Sequence, residues 1–141
     1  MDIVCKLTRQ TNFASHTYEL FECIQYLDAC QYIRDIRNAI VEDLHSDAQG
    51  SFVCIAYASG HPVGIAYGSV EHDLATLQFL TVSEPRRGIG RALVRRCDSV
   101  ASTLLLEATA STVPFYAKCG FVIDATTTMS KNIRMIKIQC T

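Results

Sequence analysis

Residues 77–93 restrict the chain more than any other stretch. The run from Leu77 to Val82, interrupted only by Gln78, is apolar and β-favouring. Ser83, Glu84 and Pro85 end it, Arg86 and Arg87 follow, and Gly88-Ile89-Gly90 opens a segment with Ile89, Leu93, Cys97 and Val100 at helical spacing. A strand that turns through Gly-x-Gly into a helix brings unpaired first-turn N–H groups and the positive end of the helix dipole to the strand's end. Glycine there also removes Cβ atoms that would keep a ligand from the backbone. These residues describe either an anion-binding turn, suited to phosphate or pyrophosphate, or a loop that uses glycine only to turn. A Walker-type nucleotide loop would need Gly-Lys-Ser/Thr after the first glycine, which residues 83–93 lack.

The rest of the chain alternates strand and helix signals. Residues 3–8 suit an opening strand. Ser15 or Thr17 caps a helix carrying Leu20, Ile24 and Leu27, and Asp28 caps a second with Ile33, Ile36, Ile40 and Leu44. Residues 51–58 and 63–70 are β-rich and joined by Ser59-Gly60-His61-Pro62, a hairpin signal, and Glu71-His72-Asp73 turns into strand 74–82. Leu104 to Thr109 is a continuous apolar strand interrupted by Glu107, fit for a sheet interior. Ser111 or Thr112 starts a short helix that Gly120 ends, and residues 121–126 and 133–139 supply closing strands. The order β-α-α-β-β-β-α-β-α-β-β predicts a mixed α/β (α+β) sheet in a single domain spanning 1–141.

Composition excludes several function classes. A formal net charge of −1 leaves no global footprint for nucleic acid. No apolar run is long enough to span a bilayer, and Met1-Asp2-Ile3-Val4-Cys5-Lys6 lacks the pattern of a secretory signal, so neither membrane nor export is expected. The seven cysteines are odd in number and scattered, with no Cys-x-x-Cys; this argues against a disulfide framework and a zinc site and for a cytoplasmic setting. Cys119 is a nucleophile candidate without a visible activating neighbour.

A second motif, Val113-Pro114-Phe115-Tyr116-Ala117-Lys118-Cys119-Gly120-Phe121, follows the strand Leu104-Leu105-Leu106-Glu107-Ala108. Together with the glycine turn it resembles the GNAT superfamily of acetyl-CoA-dependent N-acetyltransferases, closely over residues 50–123 and by element order before that. The resemblance implies a mostly antiparallel central sheet flanked by helices and splayed between the fourth and fifth strands, with acetyl-CoA in the gap. It implies an Arg/Gln-x-x-Gly-x-Gly/Ala turn for the pyrophosphate, and hence cofactor contacts from Arg86, Arg87, Gly88, Ile89, Gly90, Arg91 and Ala92. Read without a gap, the family's leading Arg/Gln position is Pro85, which has neither N–H nor charge; with a shorter turn, Arg86 or Arg87 takes that place. Leu80, Thr81 and Val82 would line the cofactor with their backbone, and Phe115 and Lys118 would complete its site. No metal is implied.

Amide formation from a thioester needs an unprotonated amine, donors for the oxyanion and an acid for the departing thiolate. The resemblance gives Tyr116 the acid role, against an aromatic that merely packs beside Phe115. Glu107 is the candidate base, a carboxylate on an apolar strand where partial burial would raise its pKa; a structural carboxylate, Glu71, His72, Asp73 or a water relay remain alternatives. Glu19, Glu22, Tyr26 and Asp28 could line an acceptor pocket or form a solvated helix face. Arg95 and Arg96 read as ordinary surface. The expected activity is acetyl transfer to a primary amine of a small molecule or protein; the alternative is a non-catalytic acyl-CoA-binding regulatory module. The late strands offer a route to a homodimer.

Overall fold

The computed structural model describes residues 2–9, 50–84, 87–124 and 132–139. The two helices expected between residues 15 and 44, with the acceptor candidates Glu19, Glu22, Tyr26 and Asp28, lie outside the described residues, as do Pro85 and Arg86.

The elements are β1 (Ile3–Arg9), β2 (Ser51–Ala58), β3 (His61–Glu71), β4 (Leu74–Val82), α1 (Ile89–Cys97), β5 (Thr103–Ala108), α2 (Val113–Lys118), β6 (Val122–Ile123) and β7 (Ile133–Ile138). They build a seven-stranded sheet in the order β1-β2-β3-β4-β5-β7-β6. Only the β4–β5 pair is parallel. The mixed, mostly antiparallel sheet is therefore as the sequence predicts.

Two tight turns set the early registers. Ser59 (φ 51°) and Gly60 (φ 80°) join Ala58 to His61, while His72 (φ 50°) and Asp73 (φ 61°) join Glu71 to Leu74. Positive φ at both central residues gives turns whose twist matches that of the flanking strands. The first hairpin is shorter than the four-residue signal suggested, because His61 and Pro62 join β3.

Helix α1 puts Ile89, Leu93, Val94 and Cys97 onto the sheet, where they meet Phe52, Cys54, Ala56, Ala66 and Leu77. Burying an aliphatic or aromatic side chain of this size contributes roughly 1.5–3 kcal/mol, so this face fixes where the helix begins. Val53, Ile55, Ile65 and Tyr67, paired across β2 and β3, are buried on the opposite face. Cys5, Cys54 and Cys97 join the interior as free thiols. Its hydrogen bond with Cys54, then burial, pushes the Cys5 thiol well above its ordinary range. Against the lowering effect of its hydrogen bond with Cys5, the Cys54 thiol is pushed up to about 12 by its hydrogen bond with Cys97 and by burial. These cysteines act as small hydrophobic side chains.

The contact between β4 and β5 matters most for function. It runs from Leu74↔Thr103 to Leu77↔Leu106 and stops there. On the other side of β4 the register steps from Gly68↔Leu77 to Tyr67↔Phe79, leaving Gln78 as the extra residue of a β-bulge. Beyond the bulge β4 stays on β3 as far as Val82, whereas β5 stays on β7 as far as Ala108↔Ile133. Two strands that begin as partners thus part halfway, which is the expected splay.

Candidate active site

The parting strands leave a cleft of about 500 Å³. Thr76, Leu77, Gln78, Phe79 and Leu80 of β4 form one wall and Leu105, Leu106 and Glu107 of β5 the other. Thr109, Thr112 and Tyr116 reach it from the α2 end, and Asn132 and Arg134 from the β7 end.

The backbone of β4 faces this cleft with one edge. Ser83 N donates to Val63 O of β3 at 2.8 Å. Alternation along the strand then turns the Leu80 and Val82 N–H groups to the other edge, the one that β5 has left. Thr81 lies between them with a buried side chain. Two backbone donors are in this way aimed into a gap.

The turn before α1 lies just beyond the end of that open edge. Gly88 is the N-cap with φ 78°, a left-handed conformation that L side chains rarely adopt. Among the described residues, Gly88 makes no side-chain cap and the first turn of α1 carries no acid, which suits the helix start to an anion. Gly90 serves a different purpose, since a Cβ there would sit 3.0 Å from Phe115 Cζ of α2. One glycine shapes the turn; the other lets the two helices approach. Ile89 is a core residue, Ala92 is half-buried, and its N–H closes the first helical bond to Gly88 O at 3.0 Å. Arg91 is exposed. Arg87 is exposed and paired with Glu84 at 3.2 Å.

Helix α2 is positioned by its threonines. Thr109 N donates to Thr112 Oγ1 at 3.0 Å, Thr112 is the N-cap, and Pro114 follows in the first turn, where a missing N–H costs nothing. This sets Tyr116 between Phe115 and Phe121, with ring centroids 5.0 and 5.9 Å away in edge-to-face contact. Its phenol lines the cleft, and burial, with a smaller contribution from Cys119, raises its pKa to about 12. Tyr116 thus packs against aromatics and also faces the cleft. Lys118 is exposed, on the side of α2 nearer α1 than the cleft.

Glu107 also lines the cleft, but exposed rather than partly buried as its apolar strand suggested. Being last but one on β5, it sits where the strands have already separated. Asn132 Nδ2 donates to its Oε2 at 3.5 Å. The alternative carboxylates lie elsewhere. Asp73 accepts Ser102 N at 3.0 Å and the Ser102 hydroxyl, two bonds that hold its carboxyl below its ordinary value of 3.8. Glu71 and His72 are exposed beside it on the same turn. That turn is at the paired end of β4, opposite the cleft. Burial raises the Cys119 thiol, which suits packing rather than nucleophilic attack.

As site residues, the sequence did not single out Gln78, Thr109, Thr112, Asn132 or Arg134. Asn132 and Arg134 become visible only through the β5–β7 register, which pairs Glu107 with Arg134. Gln78 carries a signal in the sequence, as the one amide side chain in a strand otherwise made of apolar residues and threonine.

Among the described residues, no cluster of His, Cys, Asp and Glu is placed to hold a metal ion, and no helix is long and apolar enough to cross a membrane. No curated protein sequence matches the chain significantly. Solved structures do share its fold. Escherichia coli ElaA superposes with a TM-score of 0.70 at 16% identity, covering 96% of this chain and 99% of that one. Tetrahymena Gcn5 gives 0.69 at 17% identity over 98% of this chain and 96% of its own. The PaiA N-acetyltransferase of Thermoplasma acidophilum, solved in complex with coenzyme A, gives 0.66 at 17% identity over 98% and 99%. The family model for the acetyltransferase (GNAT) domain matches residues 25–141, a span that includes the bulged strand, the glycine turn and the Tyr116 helix. With the splayed sheet already in place, that match assigns the chain to the GNAT acetyltransferase family.

Proposed function

We propose that the protein is an N-acetyltransferase that moves the acetyl group of acetyl-CoA directly to a primary amine. The observation that carries this is the order of three features: the open edge of β4, the start of α1 that follows it in the chain, and Tyr116 on the cleft between the parted strands. The first supplies donors, the second an anion site, and the third a proton donor at the far wall.

Acetyl-CoA supplies an activated thioester and a pyrophosphate that anchors it. The turn before α1 fits that anchor, because Gly88 leaves open space where a side chain would stand and the helix start has no acid of its own. The Leu80 and Val82 N–H groups hold the donor's extended arm and polarise its carbonyl, while Thr81 keeps the strand packed on β3. Phe115 buttresses Gly90 and so fixes the two helices around the site. Arg87 and Arg91 add positive charge near the anchor. Lys118 reaches the nucleotide end from α2.

Tyr116 donates a hydrogen bond toward the departing sulfur. A phenol near 12 is protonated throughout the physiological range. An ordinary thiol ionises near ~8.5, so outright transfer from the phenol is uphill. The phenol therefore stabilises the developing thiolate through its hydrogen bond, and of the two protons an ammonium acceptor sheds, the first leaves before attack to a base or water and the second, lost after attack, ends on the thiolate. Glu107, exposed at the mouth and oriented by Asn132, receives the amine's proton directly or through water. The acceptor is an amine borne by a small molecule or a protein.

The test is release of free CoA from acetyl-CoA in the presence of a panel of primary amines, with products identified by mass spectrometry. Amine-dependent release is expected. Saturable acetyl-CoA binding without turnover on any amine would assign the protein instead to the non-catalytic acyl-CoA binders.

A further inference from the structure

Among the described residues, the charged lining of the cleft between β4 and β5 is one carboxylate and one guanidinium, Glu107 and Arg134, and every other polar side chain there is neutral. The two stand directly opposite each other in the antiparallel β5–β7 ladder. Residues so placed have Cβ atoms about 4.5–5.5 Å apart on one face of the sheet, and opposite charges there ordinarily attract into a cross-strand pair. This pair is not made. Glu107 Oε2 accepts from Asn132 Nδ2 at 3.5 Å instead, and Arg134 is in no ion pair among the described residues. Both side chains are exposed to the cleft. The adjacent pair on the same face, Leu105 and Ile136, is apolar and offers neither charge a partner.

A carboxylate and a guanidinium held apart at one mouth select among amines. A diamine or polyamine would bring a second ammonium against Arg134, with a single carboxylate on the described lining to receive two cations. A plain alkylamine would leave the guanidinium unmatched. An amine that carries its own carboxylate a few bonds away satisfies both ends, with its ammonium on Glu107 and its carboxylate on the fork of Arg134. The cleft, about 500 Å³, has the size of a small-molecule site. We propose that Arg134 is a specificity residue and that the acceptor is a free amino acid or a close analogue, a small molecule bearing a primary amine and a carboxylate. The proposal rests on the acetyl-transfer reading above and narrows its acceptor, setting aside polyamines and protein N-termini. The amine nitrogen bonds to the acetyl carbonyl carbon and the carbon–sulfur bond breaks. The ammonium's first proton leaves to Glu107 or water before attack, and the second, lost after attack, ends on the thiolate. The acceptor's carboxylate takes no part in the bond changes and stays on Arg134, so the products are an N-acetyl amino acid and free CoA.

An amino acid and its primary amide differ in that carboxylate alone, and the amide has the less basic amine, so without recognition of the carboxylate the amide reacts faster. The test is kcat/KM for acetyl transfer to each common amino acid and to its amide, with putrescine as the diamine, in the wild type, Arg134→Gln and Arg134→Lys. The wild type is expected to prefer at least one amino acid over its amide and over putrescine by about tenfold or more. Arg134→Gln should lose that preference, and Arg134→Lys should recover part of it, since it restores the charge without the fork. A wild type that uses the amides or putrescine as well as every amino acid, or a preference that survives in Arg134→Gln, overturns the proposal and leaves acetyl transfer standing. Acetylation of no amine by the wild type overturns both. Should Arg134→Gln fail to fold, Arg134→Lys alone reads the preference, which a carboxylate-binding role reduces and a merely structural role leaves at the wild-type ratio.

Discussion

The two halves of the β4–β5 contact differ in nearly every respect. At the paired end, Leu74 to Leu77 lie against Thr103 to Leu106 in parallel register. Ala75, Leu77, Leu104 and Leu106 are buried there, and Asp73 ties the β3–β4 turn to Ser102. At the open end, past Gln78, each strand keeps only its outer partner, β3 or β7, and a cleft lies between them. One residue too many in β4 is the local cause. A bulge twists its strand and breaks the ladder, so past Gln78 β4 follows β3 while β5 continues along β7. The fold is held by the first half and the chemistry is available in the second, and a variant can therefore damage one without the other.

The largest effect on the open end should come from Tyr116. Tyr116→Phe keeps the ring and its edge-to-face contacts with Phe115 and Phe121 while removing the donor. Turnover should fall by roughly 10² with little change in the KM for acetyl-CoA or in Tm. Wild-type turnover with chemistry shown to be rate-limiting would end the role assigned to the phenol. Glu107→Gln, at the same mouth, should cost less, on the order of tenfold, and flatten the acidic side of the pH–rate profile measured with an amine of low pKa. An unchanged profile would give the amine's proton to water alone.

The closed end responds to pH instead. The Asp73 carboxyl is held below 3.8 by its Ser102 bonds, so its contribution to stability is present above that value and is lost as pH falls through the lower folded-state value. Asp73→Asn should therefore lower Tm slightly near neutrality, with a gap to the wild type that closes only below pH 3.8, and should leave acetyl transfer intact. A gap that persists into strong acid would show that the carboxylate's charge is not what holds the turn.

The same division explains what was legible in the sequence. Strand β4, the glycine turn and α1 are contiguous, so apolar pattern, glycine spacing and helical periodicity specify them locally. Ser111 or Thr112 announces the start of α2 in the same way, and the N-cap is Thr112. The placements that depend on distant pairing were not legible. Glu107 looked partly buried because its neighbours Leu106 and Ala108 are; the parting of β4 from β5 exposes it. Arg134 and Asn132 reach the cleft only because β7 crosses to lie beside β5.

Amide hydrogen exchange with and without coenzyme A measures the contrast between the two halves of β4 most directly. The Leu80 and Val82 amides and those of the first turn of α1 should gain protection on saturation with coenzyme A. The amides of Leu74 to Leu77, already within a two-sided ladder, should not change. Exchange at Leu80 and Val82 that stays the same at saturating coenzyme A would contradict the claim that the open edge of β4 holds the acyl donor.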